Sequence, residues 1–161
     1  MAKKELRPID KVISEYPANS SNANPILQYF AIPLVLFGLL GLIWSIPFPQ
    51  LGFLGKFNGF VNWASFVIAF SIYYYYRLSP VISYGVLLLV FAFSAGIVGL
   101  EKVQNNGGPA MGSVCLVVFM FGIAMQYFAS GKEGSALSPR NILVSPVWLI
   151  YSIFKKTGLK L

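Results

Sequence analysis

Few side chains in this sequence are suited to acid–base or metal chemistry. The 161 residues include no histidine, which removes the most common metal ligand and the most common general base. The single cysteine, Cys115, lies inside an apolar run, where a thiol packs as a small hydrophobic group. We therefore predict no catalytic residues and no metal site. The carboxylates are Glu5, Asp10, Glu15, Glu101 and Glu133.

Polar side chains that could form a site are concentrated in two segments. The first is SEYPANSSNANPILQYFAIP at 14–33, and the second is QYFASGKEGSAL at 126–137. An even number of membrane crossings separates them, so we expect both at one membrane face, with Asn22 or Asn24 near Gln126 or Glu133. Unpaired polar groups near the lipid boundary would otherwise cost free energy. A helix N-cap region and an ordinary loop are the simpler interpretation of the same residues.

The composition is that of an all-α integral membrane protein. Hydrophobic residues make up 57%, charged residues 11%, and the mean hydropathy is +0.69. Soluble domains contain about 25% charged residues, so lipid must cover much of this surface. The net charge of +7 lies at the ends of apolar runs, where basic side chains meet headgroups. No basic groove with interleaved aromatic residues is visible, and we predict no nucleic-acid partner.

Four apolar runs are long enough to predict transmembrane helices, near 25–46, 60–76, 80–100 and 109–128. Asn24 and Pro25 are typical of a helix start, and Pro47 and Pro49 would end the first helix. A polar segment, 1–24, thus precedes one membrane domain, 25–161. The short apolar segment 142–154 contains Pro146 and suits a re-entrant or interfacial position.

Residues at the ends of the runs predict anchoring and orientation. Interfacial anchors are expected at Tyr73, Tyr74, Tyr75, Tyr76, Arg77, Lys155 and Lys156. If segment 142–154 does not cross, ten Lys and Arg residues lie on the side of the termini and two on the other. This asymmetry predicts both termini in the cytosol or the mitochondrial matrix. Close packing against a neighbouring helix is expected at Ala92, Ala95, Gly96 and Gly99.

The stretch from Ile13 to Pro47 resembles the start of a small membrane family, formerly a domain of unknown function, that includes 2-hydroxy fatty acid dioxygenases. The family's pattern is a Tyr, His-Gln-Asn, a second Asn, a second His and a Pro, followed by an apolar run ending in Leu-Trp-x-Ile-Pro. Tyr16, Asn22, Asn24, Pro33 and the sequence LIWSIP match it. The family's Gln-Phe-x-Gly-His…Glu-Gly…Ala-Leu segment is matched by Gln126, Glu133, Gly134, Ala136 and Leu137, and SPVWLIYSIF resembles its closing apolar segment.

The sequence departs from the family's pattern at the positions that are thought to bind its metal. Ser20, Gln28 and Ser130 stand where the family has histidines that are thought to hold a non-haem iron. A hydroxyl or neutral amide does not replace imidazole at an oxygen-activating Fe²⁺. The resemblance therefore implies an inherited fold without the dioxygenase chemistry.

Three functions follow from this resemblance. We predict a non-catalytic accessory subunit of a larger membrane complex, with membrane lipids and other subunits as partners. A respiratory or ATP-synthase complex of the mitochondrial inner membrane is one setting. The alternatives are an Fe²⁺-dependent lipid enzyme of the endoplasmic reticulum and a lipid-binding membrane protein.

Overall fold

A computed structural model describes residues 7–16, 23–49, 52, 55, 61–130 and 138–157, and the elements in these ranges are helical. Four helices, α2 to α5, run alternately up and down, and two more, α1 and α6, pack at one end of them. The bounds are α1 Pro8–Ser14, α2 Pro25–Trp44, α3 Trp63–Leu78, α4 Pro80–Asn105, α5 Met111–Ala129 and α6 Pro139–Thr157.

Side-chain caps and prolines set the helix ends. The Asn24 side chain accepts hydrogen bonds from the backbone N–H groups of Ile26 and Leu27, which confirms the predicted start of α2. Asn62 forms a capping box with Ser65, so α3 begins at Trp63 rather than near residue 60. Only Ser79, in an extended conformation, separates α3 from Pro80 at the start of α4.

The closest contact in the bundle is between the antiparallel helices α2 and α5. A Cβ atom added to Gly38 would lie 2.6 Å from the backbone nitrogen of Phe119. One added to Gly122 would lie 2.8 Å from the backbone nitrogen of Val35. Because neither glycine carries a side chain, the two backbones approach each other directly, as membrane helices do at small residues.

Helix α6 lies across one end of the bundle, where α2 and α4 begin and α3 and α5 end. Near its start, the Leu143 carbonyl accepts a hydrogen bond of 2.8 Å from Tyr75, close to the end of α3. Near its finish, the Lys156 ammonium lies 4.5 Å from the ring centroid of Tyr29, close to the start of α2. Both ends of α6 therefore stay at the same end of the bundle, which we call the basic end. It carries Arg7, Lys11, Arg77, Arg140, Lys155 and Lys156.

The chain is a helical membrane protein, and three of its described helices are long and apolar enough to cross a bilayer: α2, α4 and α5. Helix α3 has 16 residues. At about 1.5 Å per residue it is shorter than the hydrocarbon core of about 30 Å. The prediction of four spans is therefore supported for three helices, because the Asn62 cap and the Ser79–Pro80 junction shorten the remaining one.

Described residues on both sides of the predicted boundary at residue 24 pack in one buried cluster. Ile9 and Ile13 of α1, together with Tyr16, belong to the same cluster as Val147 and Trp148 of α6. The Tyr16 and Trp148 rings lie 5.6 Å apart between centroids. The described part of the N-terminal segment thus contributes Ile9, Ile13 and Tyr16 to the core. Segment 142–154 lies within the longer helix α6, which continues through Pro146.

Candidate functional site

The two polar segments meet at the basic end, between the start of α2 and the end of α5. The Asn24 backbone N–H donates to the Ala129 carbonyl at 2.7 Å. One turn further along α2, Gln28 Nε2 donates to Ser130 Oγ at 2.8 Å, although 102 positions separate the two residues. Both side chains are fully buried. Two of the positions at which the resemblance places histidines are therefore in direct contact.

A second part of the polar network joins α5 to α6 through Tyr16. Gln126 Nε2 donates to the Tyr16 hydroxyl at 3.4 Å. The same hydroxyl is hydrogen-bonded to Ser145, whose Oγ donates to the Ile142 carbonyl at 2.7 Å. Burial raises the pKa of Tyr16, and the hydrogen bonds to Gln126 and Ser145 oppose this rise. The phenol is consequently neutral at physiological pH and acts as a hydrogen-bonding group.

Two acceptors in this network have no hydrogen-bond partner among the residues that the structure describes. They are Oε1 of Gln28 and Oε1 of Gln126, and both are buried. Rotating either amide by 180° would leave an N–H group unpaired in place of the oxygen. Each buried unpaired group costs about 1–3 kcal/mol. Within the described part of the chain, each of these two amides therefore has one group available for a further hydrogen bond.

The residues of the network do not fit a ferrous ion. Tyr16, Gln28, Gln126 and Ser130 offer neutral hydroxyl and amide groups, whereas oxygen-activating Fe²⁺ takes imidazole and carboxylate ligands. Within the ranges that the structure describes, no group of three or more His, Cys, Asp or Glu side chains is close enough to hold a metal. Gln28 and Ser130 also use their polar groups on each other.

Other predicted site residues lie elsewhere or outside these ranges. Ser20, Asn22 and Glu133 are outside the described residues, so the predicted contact is represented by the backbone of Asn24 and by its neighbours. The Asn24 side chain is exposed and caps α2. Sequence reasoning missed Ser145, although a serine beside Pro146 in an apolar run was a visible signal.

The small residues predicted for helix packing line the outside of α4. Ala92, Ala95, Gly96 and Gly99 are all exposed. A Cβ at Gly99 would meet nothing within 4 Å, and one at Gly96 would meet only the Phe37 ring. Of these four residues, Gly96 lies against a side chain of α2, whereas the backbone-to-backbone approach among the described helices is made by glycines of α2 and α5. The close packing predicted for Ala92, Ala95, Gly96 and Gly99 stays a prediction.

Most of the predicted anchors lie at the surface of the basic end. Tyr73, Tyr74, Tyr76 and Arg77 are exposed, as an interfacial belt requires. Tyr75 is the exception, because it is 4% exposed and joins α3 to α6 through its hydroxyl. Lys155 and Lys156 end α6, with Lys156 over the Tyr29 ring.

The arrangement can bind or brace through neutral hydrogen bonds. Its phenol is un-ionised, its amides and hydroxyls are weak nucleophiles, and the side chains that the structure describes in the network are uncharged. These groups can donate and accept hydrogen bonds.

No protein-family model, no curated protein and no solved structure matches this chain.

Proposed function

We propose that the chain is a non-catalytic accessory subunit of a larger membrane assembly, built on a scaffold that resembles the 2-hydroxy fatty acid dioxygenases. The observation that carries the proposal is the 2.8 Å hydrogen bond between Gln28 and Ser130. It joins two positions at which the resemblance places iron-binding histidines. An amide, Gln28, and a hydroxyl, Ser130, stand there instead of imidazoles, and they are hydrogen-bonded to each other. The polar network then holds α2, α5 and α6 together.

The outer face of α4 supports a role in contact with other subunits. Ala95 and Gly99 are exposed there, beside Leu88 and Phe91, which are 71% and 66% exposed. Small residues let a second helix approach closely in lipid, where association depends on packing. This face makes no close helix contact among the residues that the structure describes, so it is available to a partner helix.

The charge distribution supports an orientation with the basic end in the cytosol or the mitochondrial matrix. Six described basic residues lie at that end, and Lys102 lies near the opposite one. Positively charged residues are retained on the side from which membrane proteins insert. Accessibility of single cysteines introduced at Lys11 and Lys102, in a Cys115→Ala background, would test this orientation in sealed membranes.

Native mass after mild detergent extraction tests the accessory role. We expect the chain to migrate with other subunits at a fixed stoichiometry. Extracts of mitochondrial inner membrane and of endoplasmic reticulum, run in parallel, distinguish the two settings. A chain that migrates alone, carrying lipid but no protein, would favour the lipid-binding alternative.

A pair of variants tests whether the face of α4 makes the contact. Ala95→Leu adds bulk to that face, and Ala124→Leu adds the same bulk to an exposed position of α5. We expect the first variant to leave the complex and the second to stay. Stoichiometric iron in the isolated protein, with oxygen-dependent shortening of a 2-hydroxy fatty acid, would contradict the proposal and favour the enzyme.

A further inference from the structure

A cavity of about 320 Å³ lies among α2, α3 and α4, and the first two turns of α6 close it at the basic end. It shares no residue with the polar network, and α5 contributes nothing to its wall. Its depth runs from Leu143 and Tyr75 at the basic end to Ile43 and Phe93 toward the other end of the bundle. The cavity is therefore a separate feature at the level of the hydrocarbon core.

The wall of this cavity is almost entirely apolar. Its polar side chains are Ser71 and Tyr75, and the Tyr75 hydroxyl already donates to the Leu143 carbonyl at 2.8 Å. A serine hydroxyl on a helix can bond to a carbonyl of its own preceding turn. An occupant consequently needs no polar group inside the cavity, and a hydrocarbon fits its chemistry.

The cavity reaches the surface of the bundle at two of its lining residues. Val67 of α3 and Leu143 of α6 are 42% and 39% exposed. Two of the helices that line the cavity, α2 and α4, are long and apolar enough to span a membrane, so the surface at this level faces lipid. A helix about 10 Å in diameter would need more than twice this volume for each 10 Å of length, so a partner helix does not fit. An acyl chain is narrow enough.

A basic residue follows the lining residue Pro139 at the basic end of the cavity. It is Arg140, which does not itself line the cavity and whose side chain is 69% exposed. Nη2 of Arg140 bonds to Glu15 at 2.7 Å, and the guanidinium has further N–H donors that can hold a phosphate. The surplus of basic residues at this end attracts anionic headgroups.

We propose that this cavity takes one acyl chain of an anionic phospholipid, with the phosphate of the lipid at Arg140. The acyl chain lies along α2 with its methyl end toward Ile43. This site is independent of the proposed accessory role. The residues that line the cavity and the outer face of α4, which we propose contacts a partner, lie on different surfaces of the protein.

Native mass spectrometry of the full-length protein, released from nanodiscs of phosphatidylglycerol or phosphatidylcholine, tests the site. We expect one phosphatidylglycerol to remain bound as other lipids are removed. Val90→Trp fills the cavity and should lose this lipid. Val117→Trp, at an exposed position of α5 outside the cavity, should keep it. Equal retention by the two variants would overturn the proposal.

Two surface variants test the headgroup without touching the cavity. Arg140→Gln should remove the preference for phosphatidylglycerol over phosphatidylcholine. Glu15→Gln frees the guanidinium from its carboxylate partner and should strengthen that preference. No change in either variant, or retention of a free fatty acid in place of the phospholipid, would overturn the assignment. Co-purification with other subunits is a separate measurement, so the two proposals can fail independently.

Discussion

Replacing Gly38 by valine tests the close approach of α2 and α5. A Cβ atom at this position would lie 2.6 Å from the Phe119 backbone nitrogen and 2.7 Å from its Cα. These neighbours are backbone atoms, which move only if the helices separate. Overpacking of this kind costs about 1–3 kcal/mol, and the two γ-carbons of valine place the change at the upper end of that range.

Gly99→Val in α4 is the matched control. A Cβ atom at Gly99 would meet nothing within 4 Å, and the position is exposed. Because both substitutions replace a helical glycine by valine, the change in helix propensity is the same, and the difference between the variants isolates the steric cost. We expect Gly99→Val to change the free energy of unfolding by less than about 0.5 kcal/mol.

Unfolding in mixed micelles, followed by circular dichroism against the fraction of denaturing detergent, measures both variants. We expect Gly38→Val to unfold at a lower fraction of denaturing detergent than the unsubstituted protein. Gly99→Val should unfold at the same fraction as the unsubstituted protein. If both shift together, or if only Gly99→Val is destabilised, then the close helix contact lies on α4, as the sequence suggested, and the α2–α5 packing described above is refuted.

Three further outcomes concern the basic end. Trp148→Ala should lower the free energy of unfolding by about 3–5 kcal/mol in the same assay, because it empties a buried site. Trp63→Ala is the control and should lower the free energy of unfolding much less, because Trp63 is 44% exposed. Tyr75→Phe should cost about 1 kcal/mol, because it removes the donor of the 2.8 Å bond to Leu143; an unchanged midpoint would contradict that bond. Burial raises the pKa of Tyr16, so its stabilising contribution is complete below the unfolded pKa of about 10 and is lost as the pH rises through the folded pKa. A titration above pH 10 should therefore show falling stability, with a shallower fall in Tyr16→Phe.

Much of the helical architecture was predictable, because apolar runs and caps are local signals. Asn24 and Pro25 mark the start of α2, and the structure begins the helix there. The apolar run predicts a start of α3 near residue 60, which is too early, because Phe60 and Val61 extend the run although the Asn62 side chain caps the helix after them. Hydropathy counts such residues equally, whether they lie inside a helix or before it.

The packing partners were not predictable, since lipid and protein interior select similar residues. Small residues recur on α2 at Gly38 and Gly41 and on α4 at Gly96 and Gly99, with the same spacing. In the structure, Gly38 and Gly41 face α5, where Gly41 packs against the Cys115 thiol. Gly96 and Gly99 of α4 are exposed. Nothing in a single sequence states which of two equivalent faces meets protein.

The meeting of the two polar segments follows from the predicted topology, because four antiparallel helices bring the end of the last beside the start of the first. The pairing within the network does not follow from it. Gln28 bonds to Ser130, and Gln126 to Tyr16, through choices that depend on helix rotation and on where α1 and α6 lie. Ser145 is not indicated by the pattern of polar segments, because it lies within an otherwise apolar segment of α6.

The packing of α1 against α6 has a consequence for the order in which the protein is made. Arg140 donates a hydrogen bond to Glu15 across 125 positions, and Tyr16 packs on Trp148, so α1 reaches its packed position only after α6 has been made. Membrane helices insert and form individually before they associate, and the N-terminal parts of a chain leave the ribosome first. The Gln126 amide, which donates to the Tyr16 hydroxyl, therefore stays uncovered until α6 has been made and Tyr16 packs against it. A chain truncated before α6 would keep this polar group open at the membrane surface, where quality-control proteases could distinguish it from a chain that contains α6.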